Sequence, residues 1–188
     1  MSIPIEISAR HIHLTHEDME KLFGKNYNLK IKKDVSQPGQ FAAEETLTIE
    51  NNNQKIEHVR IVGPERKESQ VEISLTDAYH LEVNPPVRLS GEIEGTPGIT
   101  LSGPVGKIQL KKGLIIAKRH LHISPLDAGK LKLKHKDIVS VRTKGERAVI
   151  FNEVVVRSRK GKDEMSFQLD TDEANAAGVK NGDLGEII

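Results

Sequence analysis

The 188-residue sequence contains no cysteine and no tryptophan, and only four phenylalanines and two tyrosines. Without thiols there is no disulfide, no cysteine-ligated zinc, no iron–sulfur cluster and no cysteine acyl-enzyme, and a reducing cytosol is the simplest compartment. So few aromatics cannot fill a core, so Ile, Val and Leu must, and the β-branched share favours strands. Neither charge sign is in excess: 28 basic residues face 27 acidic ones, for a net charge of +1. The chain therefore has no general attraction to nucleic acid, and it lacks the aromatic platforms that single-strand binders use. No apolar run reaches the roughly 18 to 20 residues that span a bilayer. The start, MSIPIEISARH, has neither the basic nor the apolar region of a secretion signal. The expectation is a cytoplasmic protein that binds neither membrane nor nucleic acid. Absent too are G-x-x-x-x-G-K-[ST], G-x-G-x-x-G and G-x-S-x-G, so P-loop, Rossmann and serine-hydrolase readings lack their essential parts.

What is present is strand-like alternation. Ile3-Ile5-Ile7, Leu47-Ile49, Val59-Ile61, Val71-Ile73, Val87-Leu89, Ile108-Leu110, Val139-Val141 and Val154-Val156 each repeat at period two. Turn chemistry separates them: Gln37-Pro38-Gly39, Gly63-Pro64, Thr96-Pro97-Gly98 and Gly103-Pro104. Many short strands at such spacing predict small barrels, not a doubly wound sheet. Helices are few. Thr15 can cap one running to about Phe23, Ser124 can cap another with Pro125 at its first position, and Thr76 and Thr171 open two more.

The chain also repeats itself. RHIHLTHEDMEKL at 10–22 and RHLHISPLDAGKL at 119–131 share Arg, His, His, Asp, Lys and Leu in register, and each follows an aliphatic strand. The repeated unit reads strand, His-x-His, capped helix. We expect a mainly β fold of two related β-barrel domains capped by short α-helices: 10–115, then 116–188 completed by the strand 1–9. The two histidine pairs would occupy equivalent places and face each other across the interface.

On an extended strand, residues i and i+2 share a face, so His11 and His13 present two imidazoles side by side, as do His120 and His122. Neutral imidazole is the commonest zinc ligand, and two of them about 6 to 7 Å apart at Cα can converge on one ion. A single His-x-His is ordinarily a surface pair; two R-H-x-H copies at equivalent points of a duplication favour metal. A catalytic zinc usually has about three protein ligands, so each pair needs one more. Glu72 interrupts an apolar strand, and the pattern alone reads it as solvent-facing. His16, His58, His80 and His135 stand apart and read as surface side chains. Arg66, in the turn after Gly63-Pro64-Glu65, carries a planar fork suited to phosphate or carboxylate. Arg10 and Arg119 lie on the opposite strand face from the histidines, where each can serve a structural ion pair. Lys30 to Lys33 and Arg157 to Lys162 read as solvated surface, although either would suit a polyanionic ligand.

Eight segments, SARHIHL, QPGQFAAEET, GPERKESQVEIS, TDA, PPVRLSG, GTPG, AKRHLHISPLDA and DTDEANAAG, follow one another over nearly the whole chain. In content and order they resemble the phosphate propanoyltransferases, the PduL-type phosphotransacylases. The resemblance implies two β-barrel domains with a two-zinc site between them, where inorganic phosphate and acyl-CoA exchange to give acyl phosphate and free CoA. It assigns His11, His13 and Glu72 to one zinc, His120 and His122 to the other, Arg66 to phosphate, and CoA contacts to Ser8, Lys33, Arg60, Tyr79, Ser90 and Asn175. A homo-oligomer is compatible with it.

One position departs from the family's pattern. Where the family has a histidine as third ligand to the second zinc, this chain has Gln168, whose amide oxygen is a weaker zinc ligand than imidazole. Relatives packaged in microcompartments carry an amphipathic extension ahead of the first motif; here that motif starts at Ser8, and a free cytosolic enzyme is expected. A metal-dependent thioester hydrolase is the second reading, since metal-bound hydroxide can attack a thioester. A non-catalytic metal-binding module is the third, motivated by Gln168.

Overall fold

The computed structural model describes residues 1–161 and 163–188, so Lys162 lies outside the described residues. In chain order the first half runs β1 (Ser2–Ile7), β2 (His11–His13), α1 (His16–Phe23), β3 (Ile31–Asp34), β4 (Phe41–Asn51), β5 (Gln54–Gly63), β6 (Gln70–Ile73), α2 (Leu75–His80) and β7 (Val87–Arg88). There follow β8 (Thr100–Ser102), β9 (Lys107–Gln109), β10 (Leu114–Ala117), β11 (His120–His122), α3 (Pro125–Lys130), β12 (Ile138–Arg142), β13 (Ile150–Arg157), β14 (Ser166–Leu169), α4 (Thr171–Ala177) and β15 (Leu184–Ile187). The mainly β expectation with a few short helices holds. No helix among the described residues is long and apolar enough to cross a membrane.

The chain divides into two compact units. One, the barrel unit, comprises Met1–Ala9, Ser36–Pro38 and Lys118–Ile188; the other, the sheet unit, comprises Arg10–Val35 and Gly39–Ala117. The barrel unit closes in the order β1-β14-β11-β13-β12-β15. Alternation along β1 buries Ile3 and Ile5 completely. They pack with Leu121, Val154, Val156 and Phe167 in one aliphatic core. Gly185 on β15 lets the barrel close tightly: it sits opposite Ile3, and a Cβ there would fall 2.8 Å from Val141 Cγ1.

The sheet unit carries nine strands in the order β7-β10-β6-β2-β5-β4-β8-β9, with β3 on β4, and the sheet curls as a half barrel. Its core gathers Ile12, Leu14, Leu47, Ile49, Ile61, Val71, Ile73 and Leu114 among others. Strand β6 lies between β2 and β10, so all four of its residues are buried. Gly113 leads into β10 with φ +111, and a Cβ there would lie 2.6 Å from the Ser69 carbonyl oxygen, so the close approach of β10 to β6 needs glycine.

Two helix starts differ from expectation. Ser74, not Thr76, caps α2, and Asp170, not Thr171, caps α4. Each forms a reciprocal capping box with the acid three residues on, Asp77 or Glu173, and so satisfies two backbone N–H groups that a threonine further along would leave open. The arginines preceding the histidine pairs use those same acids. Arg10 grips Asp77 through two hydrogen bonds of 2.6 and 2.9 Å, and Arg119 pairs with Glu173. Both are the structural ion pairs that the strand pattern allows, and they tie each histidine strand to a helix of its own unit. In the barrel unit burial is the main cause that raises the pKa of Glu173 above the ordinary carboxylate value.

Candidate metal centre and active site

In the sheet unit β2 pairs antiparallel with β6, which sets His11 directly opposite Glu72. Residues in such register share a face, so the carboxylate joins the two imidazoles while Ile12 turns into the core. Glu72 is only 5% exposed. That corrects the solvent-facing reading, whose alternation rule presumes one wet face; β6 has none. His11 Nε2 lies 3.2 Å from His13 Nε2 and 3.5 Å from Glu72 Oε1, and His13 Nε2 lies 3.8 Å from that oxygen.

These distances test whether a cation fits. Four ligands about 2.05 Å from a tetrahedral zinc are separated by roughly 3.3 Å, close to the three edges measured. The His13 Nδ1–H donates to the Val62 carbonyl at 2.8 Å, which turns its Nε2 lone pair toward the group. Burial, then the neighbouring His11 and Arg66, hold His13 well below the ordinary imidazole pKa, so it is neutral at pH 7. Burial alone would raise the Glu72 pKa, but His11 beside it and hydrogen bonds from His11 and Ser90 hold it well below the usual carboxylate range. A neutral imidazole and an ionised carboxylate are the states a divalent cation requires. The group His11, His13 and Glu72 could hold a metal ion.

Arg66 is anchored beside this group. Its backbone N–H donates to the Leu14 carbonyl at 2.8 Å, one residue past His13. Its guanidinium donates to Ser90 Oγ at 2.9 Å. A cavity of about 180 Å³ is lined by Arg66, Lys67, Glu68, Gln70, Gly91 and Ile93, room enough for a small oxyanion. A neighbouring cavity of about 310 Å³ is larger, but Glu68, Glu92 and Glu94 line it with Arg88, which suits an anion less.

The barrel unit repeats the imidazole motif. On β11, Leu121 enters the core while His120 and His122 lie on the other face, 6% and 4% exposed, with their Nε2 atoms 2.9 Å apart. His120 Nδ1 donates to the Lys118 carbonyl at 2.8 Å, and His122 Nδ1 donates to Asp163 Oδ1 at 2.6 Å. Both acceptors fix the proton on Nδ1. When both rings are neutral, the two Nε2 lone pairs lie against each other, an arrangement that a cation between them relieves. Burial first, then the positive charge of Arg157, lower the His122 pKa to about 4, against the pull of Asp163. Burial would raise the Asp163 pKa, but hydrogen bonds from Arg159 and His122 hold it below its ordinary value.

Gln168 stands directly opposite His120 and beside Glu6 in one row across three strands. Its amide nitrogen donates to Glu6 Oε2 at 3.0 Å, and Ser36 Oγ donates to the same oxygen at 2.7 Å. Among the described residues no third His, Asp or Glu completes a group of three around His120 and His122.

The remaining expected positions scatter. Ser8 donates its backbone N–H to Leu169 at 2.8 Å in the barrel unit, where Asn175 is exposed on α4. In the sheet unit Lys33 and Tyr79 are exposed, Arg60 donates to the carbonyls of Ala43 and Glu44, and Ser90 receives Arg66. His16, His58, His80 and His135 are exposed, as read from the sequence. Arg157 and Arg159 are not the solvated patch expected: both are half-buried and act on the His122 and Asp163 pair. Three polar residues carry no sequence signal of their own: Gln70, Asp163 and Arg159. Asp163 is 41 residues from His122, and only the closed barrel joins them.

Two imidazole pairs, a buried carboxylate and an anchored guanidinium beside an anion-sized cavity are parts that group-transfer chemistry uses. A family model described as phosphate propanoyltransferase matches residues 4–180. The phosphate propanoyltransferase of Thermotoga maritima is 52% identical over 187 residues, covering 99% of this chain and 89% of that protein. Those of Lachnoclostridium phytofermentans and Clostridioides difficile are 48% and 46% identical, over 100% and 99% of this chain and 87% and 88% of theirs. The class is therefore that of acyltransferase enzymes. Within it, the chain belongs to the phosphate propanoyltransferase family.

Proposed function

We propose that this protein exchanges coenzyme A for inorganic phosphate on a short-chain acyl group, reversibly, and that zinc serves it at His11, His13 and Glu72 and at His120, His122 and Gln168. Family membership supports the reaction. The observation that carries the site assignment is the convergence of two imidazole nitrogens and a buried carboxylate oxygen within one hydrogen-bonded relay of Arg66.

Bound zinc would supply Lewis acidity, polarising an acyl oxygen or stabilising a leaving thiolate. Arg66 holds the phosphate through its planar fork, with its aim fixed by Ser90 and by the backbone bond to Leu14. With no cysteine to carry the acyl group, a phosphate oxygen attacks the thioester carbonyl directly. The new O–C bond forms, the C–S bond breaks, and the proton of hydrogen phosphate ends on the CoA thiol. Ser8, Lys33, Arg60, Tyr79, Ser90 and Asn175 are assigned to CoA, and the setting is a cytosolic one. The test is to incubate the zinc-loaded protein with acetyl- or propionyl-CoA, with and without phosphate. Thiol release that needs phosphate and yields a hydroxylamine-reactive acyl phosphate is expected. Equal thiol release without phosphate, giving the free acid, would mark a hydrolase instead.

A further inference from the structure

Gln70 lies on β6 two residues before Glu72 and is 2% exposed. Its Oε1 accepts the backbone N–H of Gly91 at 2.7 Å, a group that can only donate, so the amide has one orientation. The Nε2 end then faces two acceptors. One hydrogen goes to Glu72 Oε1 at 2.6 Å, and the other goes to Ser90 Oγ at 2.9 Å. Glu72 Oε1 is the same oxygen that meets both imidazoles, and Ser90 Oγ is the atom that receives the Arg66 guanidinium. One buried amide, with both hydrogens committed, thus joins the oxygen offered to a metal and the hydroxyl that aims the anion-binding fork.

Resting on the zinc and phosphate reading above, we propose that Gln70 is a positioning residue that holds Glu72 and Arg66 in one fixed relation. Partners that orient a ligand typically contribute a factor of about 10 to 100 in metal affinity or activity. Methionine has nearly the same length as glutamine and makes none of its hydrogen bonds, so Gln70→Met isolates the role.

The experiment uses the full-length chain. Zinc affinity is measured by competition with a chromophoric chelator, and the KM for phosphate and kcat by thiol release; far-UV dichroism and Tm report folding. Expected is a 10- to 100-fold loss of zinc affinity in Gln70→Met, together with a raised phosphate KM. Ser90→Ala, which removes one hydrogen bond to Glu72 but leaves the bond from Gln70 in place, is expected to raise the phosphate KM and to lose less zinc affinity than Gln70→Met. Wild-type zinc affinity and phosphate KM in Gln70→Met would overturn the proposal, as would equal loss of zinc in Ser90→Ala. Should Gln70→Met fail to fold, Gln70→Asn, one methylene too short to reach Glu72, Ser90 and Gly91 together, takes its place with the same expected losses, and wild-type values for both would overturn the proposal. Failure of the underlying reading is distinguishable, because wild type would then bind no zinc that His11→Ala removes.

Discussion

Acidification should destabilise the metal-free protein through one buried imidazole, by an amount that can be worked out. His122 has a pKa of about 4 in the folded chain and an ordinary value of 6.5 once unfolded. Burial is the main cause, and Arg157 adds to it. Between those two values the unfolded chain binds a proton that the folded chain refuses, so stability is full above about pH 6.5 and falls as pH drops toward 4. At about 1.4 kcal/mol per unit, the loss reaches roughly 3 kcal/mol, a large part of the 5 to 15 kcal/mol that ordinarily holds a domain together. Asp163 is shifted in the same direction, but its pKa is held below 3.8, so its contribution is lost only below that pH, outside the window. The assay is urea unfolding of chelator-treated protein at pH 7, 6, 5 and 4, for wild type and His122→Gln. The stability advantage of wild type over the variant should shrink by roughly 3 kcal/mol from pH 7 to 4. An advantage that stays constant across that range would refute the argument.

Other expectations concern the metals and the order of reaction. His11→Ala and His120→Ala should each lose one equivalent of zinc together with activity, as elemental analysis and acyl-phosphate assays would register; full turnover in either variant would contradict the site assignment. Gln168→His should tighten zinc at the His120 and His122 position, and an unchanged chelator-competition curve would place that side chain away from the ion. Asp163→Ala should weaken the same position by about 10- to 100-fold, because the His122 ring loses the acceptor that fixes its proton. Initial-rate plots against both substrates should intersect, as direct attack in a ternary complex requires; parallel lines with an isolable acylated protein would show a covalent route.

Much of the fold was readable because period-two alternation is a local property. Ile3 and Ile5, Val59 and Ile61, and Val154 and Val156 declare their strands by themselves. Strand β14 does not declare itself in this way, since Ser166-Phe167-Gln168-Leu169 alternates for only four residues directly before a helix start. The caps at Ser74 and Asp170 were missed for a related reason: each sits one or two residues ahead of a threonine equally able to cap, and the capping box decides between them. Asp163 and Arg159 had no strand spacing to betray them, because they act from a loop; Gln70 shares a face with Glu72 by the same two-residue spacing as the histidines, but its tie to Ser90 depends on the fold.

By itself, then, the sequence determined that two histidine doublets sit on strands, each followed by a capped helix and preceded by an arginine on the opposite strand face. Those facts depend on neighbours along the chain, where side-chain direction alternates by geometry alone. Only the tertiary structure decided that Glu72 lies dry opposite His11, that Asp163 reaches His122, and that Gln70 links Glu72 to Ser90. These are consequences of strand register, loop placement and burial, which no stretch of local sequence encodes.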